Sequence, residues 1–316
     1  MRIRLTREAG SLDGIFNVNK PKGLTSHDVV RAVRRLAGGS RVGHAGTLDP
    51  MATGVLLICV GRGTRVVEYL MDSRKVYCAE IVLGASTDTY DAEGRVIRTV
   101  SEISVSRRQL ERALSTFRGK IWQTPPRYSA IKLKGQPLYK LSRAGIEVEP
   151  HPRQVEIYRI KLADWKSPVA LVAIECSRGT YIRSIANDLG ELLGCGAYLR
   201  NLVRVASGRF TIEDAVPLQQ LEFALAQGYW ESLIYPIDEA LVEFDAAILG
   251  PESERAVLAG QSWTPEVWSA KKWRVKKRGR RPNGGLCRAY SLEGQMVALL
   301  KLDEARKTWQ PDKVFG

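Results

Sequence analysis

Histidine is scarce in this chain: three occur in 316 residues, at positions 27, 44 and 151, and none has metal-ligand spacing. A structural or catalytic zinc site is therefore not expected. The five cysteines, Cys59, Cys78, Cys176, Cys195 and Cys287, are scattered, odd in number and form no C-x-x-C pair. That pattern argues against a disulfide framework and reads as reduced core residues of a cytoplasmic protein. No uninterrupted apolar run is long enough for a membrane-crossing helix, and residues 1–8 lack the apolar core of a signal peptide. Acidic residues are also short: 34 Asp and Glu stand against 48 Lys and Arg, a formal net charge of +14. Such an excess favours a polyanionic partner, nucleic acid or an anionic membrane.

What is present begins with Gly43-His44-Ala45-Gly46-Thr47-Leu48-Asp49-Pro50, followed by an apolar segment at 55–60. Pro50 biases Asp49 towards an extended backbone, and the glycines at 43, 46 and 54 permit sharp turns and close approach by another molecule. The expected result is a carboxylate on a tight loop at the mouth of a buried strand. The plain alternative is an Asp-Pro turn between two strands.

The length suggests two domains, or one large domain with a smaller attachment. Residues 13–18 read as a strand leading into the basic turn at 20–23. Ser26 is the expected N-cap of a helix with Val29, Val30, Val33, Leu36 and Ala37 on one face and Arg31, Arg34 and Arg35 off it. Those arginines read as a solvated face or as ligand contacts. Strands are expected at 76–83 and 95–100, a helix capped by Ser104 or Ser106, strands at 154–165 and 169–177, and a helix at 181–193 ended by Gly194 and Gly196. Residues 124–152, with five prolines and several cations, read as a basic excursion with one short helix near 138–144. This order argues for an α+β fold with a mixed, mainly antiparallel sheet. Beyond a boundary near 235–240, segments 286–290 and 296–302 flank Glu293-Gly294 as a hairpin. The cationic run at 271–281 reads as a disordered, solvated loop or, with its interleaved Trp and Val, as a phosphate-binding surface. Gly279, Pro282, Gly284 and Gly285 oppose the amphipathic helix that membrane binding would need.

Two further segments combine reactive side chains with apolar framing. Asp72-Ser73-Arg74-Lys75-Val76-Tyr77 sets an aromatic beside cations at a strand entrance. Cys176-Ser177-Arg178-Gly179-Thr180-Tyr181-Ile182-Arg183 reads as strand, glycine turn and helix start, where an anion is favoured. A guanidinium close to Asp49 would favour its ionised form, suited to nucleophilic attack or cation stabilisation. A tyrosine alongside offers a face for stacking a base. Taken singly, each tyrosine is better read as an ordinary core aromatic, and Arg183 as a surface cation near a helix start.

Together these segments bring a family into view. Residues 43–56 resemble the signature of RNA pseudouridine synthases, in the branch that makes pseudouridine 55 in the tRNA TΨC loop. The similarity extends through Gly14 to Gly23, Ser26-His27-Asp28, Gly84 to Gly94, Gln123-Thr124-Pro125-Pro126-Arg127-Tyr128-Ser129-Ala130, Cys176 to Arg183, and Leu189 to Ala197. It is close over roughly 12–215. The ending Trp309-Gln310-Pro311-Asp312-Lys313-Val314-Phe315 resembles the close of the family's PUA-type RNA-binding domain, while the run at 271–281 has no counterpart.

The resemblance implies the pseudouridine synthase fold over 1–237, with an RNA-gripping insertion at about 124–152, and a small β-rich PUA-like domain over 238–316. It implies Asp49 as the essential aspartate and nucleophile, Tyr77 as the ring that stacks on the target uracil, and Arg183 as the partner of the aspartate. It further implies that His44 helps displace the flipped base, that Lys20 supports the site, and that Tyr181 and Leu202 line the uridine pocket. The expected partner is the T-arm stem-loop of tRNA, bound by a cytoplasmic monomer with no membrane contact, no guide RNA and no cofactor. A guide-RNA-dependent branch is similar in core and C-terminal domain but lacks the insertion, so it stands as the alternative. A non-catalytic tRNA-binding or folding protein is the other alternative. A metal-dependent nuclease would need further acidic residues at convincing spacing, and none is present.

Overall fold

The structure, a computed structural model, describes residues 12–126, 132–133, 136–137, 151–265 and 285–316. The expected helix at 138–144, most of the insertion and the run 271–281 lie outside the described residues. The first strands show why the sequence builds a two-sided core. β1 (Gly14–Lys20) and β3 (Thr53–Val60) are buried on both faces, β3 apolar beyond Thr53 and β1 carrying Asn17, Asn19 and Lys20 among its apolar residues. β2 (Val42–Ala45) pairs with β3. Alternate residues project to opposite faces of a strand. Accordingly Phe16, Val18, Leu56 and Ile58 enter one apolar cluster, and Ile15, Val55, Leu57 and Cys59 enter another.

Between β1 and β2 lies helix α1 (Ser26–Leu36). Its N-cap is Thr25, not the expected Ser26, because Asp28 stands three residues after Thr25 and completes a reciprocal capping box. Arg31 and Arg35 are exposed as expected, while Arg34 donates to the Val42 carbonyl at 3.0 Å. Short helix α2 (Val67–Asp72) leads into β4 (Lys75–Leu83), whose odd-numbered residues from Lys75 to Leu83 are buried. The hairpin β5 (Ala85–Thr87) and β6 (Val96–Thr99), helix α3 (Arg107–Ser115) and β7 (Gly119–Gln123) follow. Two short paired strands, β8 (Lys132–Leu133) and β9 (Gln136–Pro137), precede the long hairpin β10 (Arg153–Lys166) and β11 (Val169–Cys176). Then come helix α4 (Ile182–Leu192), β12 (Ala197–Ser207), β13 (Phe210–Thr211), β14 (Val216–Pro217), helix α5 (Leu218–Gln227) and β15 (Ile234–Tyr235).

The main sheet runs β14-β1-β3-β12-β4-β11-β10-β7, with β2, β13 and β15 paired off this path. Its pairings are antiparallel except β1 with β14 and β12 with β3. The fold is thus the expected α+β type with a mixed, mainly antiparallel sheet. A second sheet orders β16 (Asp245–Ile248), β17 (Leu286–Tyr290), β18 (Met296–Asp303) and β19 (Thr308–Val314), with helix α6 (Pro251–Leu258) against it. Leu299 and Phe315 from this unit join the cluster of Ile15 and Leu57, so the two sheets share one apolar seam. Among the described residues no helix is long and apolar enough to cross a membrane.

Candidate active site

The loop before β3 is held by side chains that reach its backbone. Ser26, freed from capping, is buried and accepts from the Leu48 N–H at 2.8 Å while donating to the Leu48 carbonyl at 3.1 Å. The wholly buried Lys20 donates to the carbonyls of Leu24 at 2.6 Å, Pro21 at 3.0 Å and Pro50 at 3.3 Å. Burial lowers its pKa to about 8, against the pull of the Asp49 charge. Gly54 lies at φ +99 beside Arg204, and a Cβ there would stand 2.3 Å from the Arg204 carbonyl, so only glycine fits. Leu48 and Pro50, on either side of Asp49, are therefore anchored from two elements.

Asp49 meets Arg183, which α4 carries in its first turn. Arg183 Nε stands 2.9 Å from Asp49 Oδ2 and Nη2 donates to Oδ1 at 3.1 Å, a fork gripping both carboxylate oxygens. The Arg183 side chain is 6% exposed and that of Asp49 33%, so the pair is buried on the arginine side and open on the carboxylate side. The remaining guanidinium nitrogen, Nη1, lies 3.3 Å from both Asp91 Oδ2 and the Thr89 carbonyl. Asp91 sits in the 84–94 segment noted above. No role attached to it in the sequence, because nothing there signals its reach to Arg183.

Tyr77 and Leu202 share one face of neighbouring strands. Leu202 pairs with Ala79, and Arg204 pairs with Tyr77. Burial pushes the Tyr77 phenol upwards, and the Arg204 charge opposes this. Arg204 is 1% exposed and donates through Nε to the Val55 carbonyl at 2.7 Å and through Nη2 to the Gly46 carbonyl at 3.0 Å. One buried cation, paired across the strands with Tyr77, thus ties both flanks of the Asp49 loop. Arg204 was absent from the expected set, although its spacing of two from Leu202 places both on one strand face. His44 lies on β2 opposite Ile58. Burial lowers its pKa, with Arg204 and His27 adding to the shift, so the neutral ring is favoured. Tyr181 is half-buried and caps α4, immediately before the turn that bears Arg183. The structure therefore joins Asp49 to Arg183 and Tyr77 to the same loop through Arg204. Lys20 braces Pro50, and Tyr181, Leu202 and His44 flank these elements. Among the described residues no group of three or more His, Cys, Asp or Glu is arranged to hold a metal ion.

This arrangement offers an accessible carboxylate, a cation that orients it, and a buried aromatic paired with the arginine that braces the same loop. Comparison with known proteins gives it a family. Residues 34–182 match the description TruB family pseudouridylate synthase (N terminal domain), and 183–242 match tRNA pseudouridylate synthase B C-terminal domain. Similarity to tRNA pseudouridine synthase B of Dehalococcoides mccartyi reaches 43% identity over 304 residues, covering 96% of this chain and 97% of that protein. The chain belongs to the TruB family of pseudouridylate synthases. The tRNA pseudouridine synthase B of Clostridium acetobutylicum is 40% identical over 298 residues, covering 93% of this chain and 96% of that one. Among solved structures, a chain of a Cbf5-Nop10-Gar1 complex matches with a TM-score of 0.70 at 24% identity, over 96% of this chain and 85% of its own. That likeness establishes the shared fold. In the TruB family setting, the Asp49–Arg183 pair is the candidate reactive centre.

Proposed function

We propose that this TruB-family chain is a stand-alone tRNA pseudouridine synthase that converts uridine 55 of the T loop, with Asp49 as its nucleophile. The observation that carries this reading is the Asp49 carboxylate, held on both oxygens by a buried Arg183 and still one-third exposed. Relatives named tRNA pseudouridine synthase B, over 40% identical along nearly the whole chain, support tRNA as the substrate. The net charge of +14 suits a phosphate backbone.

The reaction breaks the uridine N1–C1′ bond, turns the freed uracil, and joins C5 to C1′. The proton on C5 leaves and N1 takes one up, so the product is an isomer and no oxidant or reductant enters. A base stacked in an RNA loop must first leave the stack, at a cost of about a few kcal/mol. In this reading His44, favoured neutral, helps displace the base, and Tyr77 stacks on the uracil while Tyr181 and Leu202 line its pocket. Lys20 supports the loop from beneath. The Arg183 fork directs the Asp49 carboxylate. We assign the catalytic unit to 1–237, including the insertion at about 124–152, and an RNA-binding PUA-like unit to 238–316.

The test is purified protein with a T-arm hairpin and no guide RNA. Pseudouridine at position 55 is expected. If product forms only when a guide RNA is added, the guide-dependent branch replaces this assignment. Binding without any product would instead favour a tRNA-folding role.

A further inference from the structure

Gln123 is the last residue of edge strand β7, yet it is 1% exposed. Its side-chain amide turns onto the backbone of Tyr181. Oε1 accepts from the Tyr181 N–H at 2.7 Å, and Nε2 donates to the Tyr181 carbonyl at 3.0 Å. A third bond follows one residue on, where Ser184 Oγ donates to the Thr124 carbonyl at 2.8 Å. Three hydrogen bonds thus tie the end of β7 to the start of α4. Tyr181 is the N-cap of that helix and makes no side-chain cap bond of its own. Arg183, two residues later, is the group that forks Asp49.

Among uncharged side chains, a primary amide presents a donor and an acceptor in one plane and answers an adjacent N–H and C=O together. An apolar replacement of the same size would leave the Tyr181 N–H unbonded and its carbonyl with only the helical bond from the Ile185 N–H at 3.3 Å, or force the helix start to move. A fork with contacts of 2.9 and 3.1 Å tolerates little movement of the helix that carries it.

We propose that Gln123 is a positioning residue for the isomerisation: its two-bond bracket on Tyr181 fixes the start of α4 and so aims Arg183 at Asp49. This rests on the pseudouridylation reading above. Gln123 itself touches no reacting atom. It acts through Arg183 and Tyr181.

Two substitutions test this with the single-turnover rate and the affinity for a T-arm hairpin as readouts. Gln123→Leu removes both bonds and is expected to lose roughly tenfold to a hundredfold in rate, with RNA affinity unchanged. Gln123→Glu carries its own control. A neutral carboxylic acid reproduces both bonds, whereas a carboxylate faces the Tyr181 carbonyl without a proton to donate. Burial and that carbonyl favour the neutral acid. Arg153, paired across β7 and β10, and Arg183 on α4 favour the ion, and Asp49 and Asp91 beyond Arg183 oppose them. The rate of Gln123→Glu relative to wild type should therefore climb as pH falls from about 8 to about 5. A purely structural role would not produce that climb. Wild-type rate in Gln123→Leu, a loss carried wholly by affinity, a pH-independent ratio, or failure of both variants to fold would each overturn the proposal. Wild-type protein in the same assay separates the two levels, since no turnover there defeats the functional reading itself.

Discussion

The Asp49 region and the four-stranded C-terminal sheet are held together by different means. Around Asp49, buried polar side chains fix the backbone atom by atom: Lys20 on three carbonyls, Ser26 on Leu48, Arg204 on Gly46 and Val55. In the C-terminal sheet, Cys287, Ala289, Val297, Ala298 and Leu300 pack with Leu249 and Val257, and Leu299 and Phe315 complete the seam with the main sheet. Polar contacts across that seam lie at its rim, as in Tyr69 to Asp312 at 2.7 Å and Lys313 to Glu68 at 3.0 Å. A desolvated hydrogen bond specifies direction and residue type, whereas apolar contact specifies volume and face. Rate should therefore be sensitive to change in the first region, and stability in the second.

The largest effect expected is at Asp49. Asp49→Ala should bind the T-arm hairpin as wild type does and lose at least about a thousandfold in pseudouridine formation. Product formed at a comparable rate would remove the nucleophile and, with it, the sensitivity assigned to this region. The opposite behaviour is expected at the seam. Leu299 is wholly buried, and Leu299→Ala should cost about 2–5 kcal/mol of stability in a denaturant titration. At saturating RNA, the surviving folded protein should turn over at the wild-type rate. A rate loss in that variant would show that the seam, too, sets the geometry of the chemistry.

The same contrast governs what the sequence made legible. Strand β4, helix α4 and the Asp49 loop follow from local signals: alternation, a glycine stop and an Asp-Pro turn between glycines. Thr25 and Ser26 are adjacent hydroxyl residues, and the choice of cap turned on Asp28 together with Leu48, a partner distant in sequence that claims Ser26. Asp91 and Gln123 gain their roles only when the fold brings them to Arg183 and Tyr181. Arg204 stands two residues after Leu202, and the two share a face only once 197–207, not read as a strand from the sequence, forms β12. Strand β19 carries Gln310, Pro311 and Asp312 in its middle and is half-buried along most of its length, so no apolar alternation announces it. The family resemblance supplied roles for Tyr77 and Tyr181, whose local sequence taken alone favoured ordinary core aromatics.

The smallest effect expected is a slope in stability, and it separates the two regions by pH. Lys20 keeps its ammonium in a buried cage of carbonyls, and its pKa falls from 10.5 to about 8. Between those values the unfolded chain holds a proton that the folded chain has released. Stability therefore rises with pH across that window and receives no such contribution below it, where both states are charged. Lys20→Met lacks the carbonyl bonds and is less stable throughout, but it also lacks the titration. The stability gap between wild type and Lys20→Met should widen as pH is raised from about 8 towards 10.5. Denaturation midpoints of the two proteins measure this directly, and titrations common to both cancel in the difference. A gap that stays constant would mean the ammonium pays no penalty for its burial. Lys20 would then resemble Lys313, a rim cation 31% exposed at the C-terminal seam, and the distinction between the regions would lose its electrostatic half.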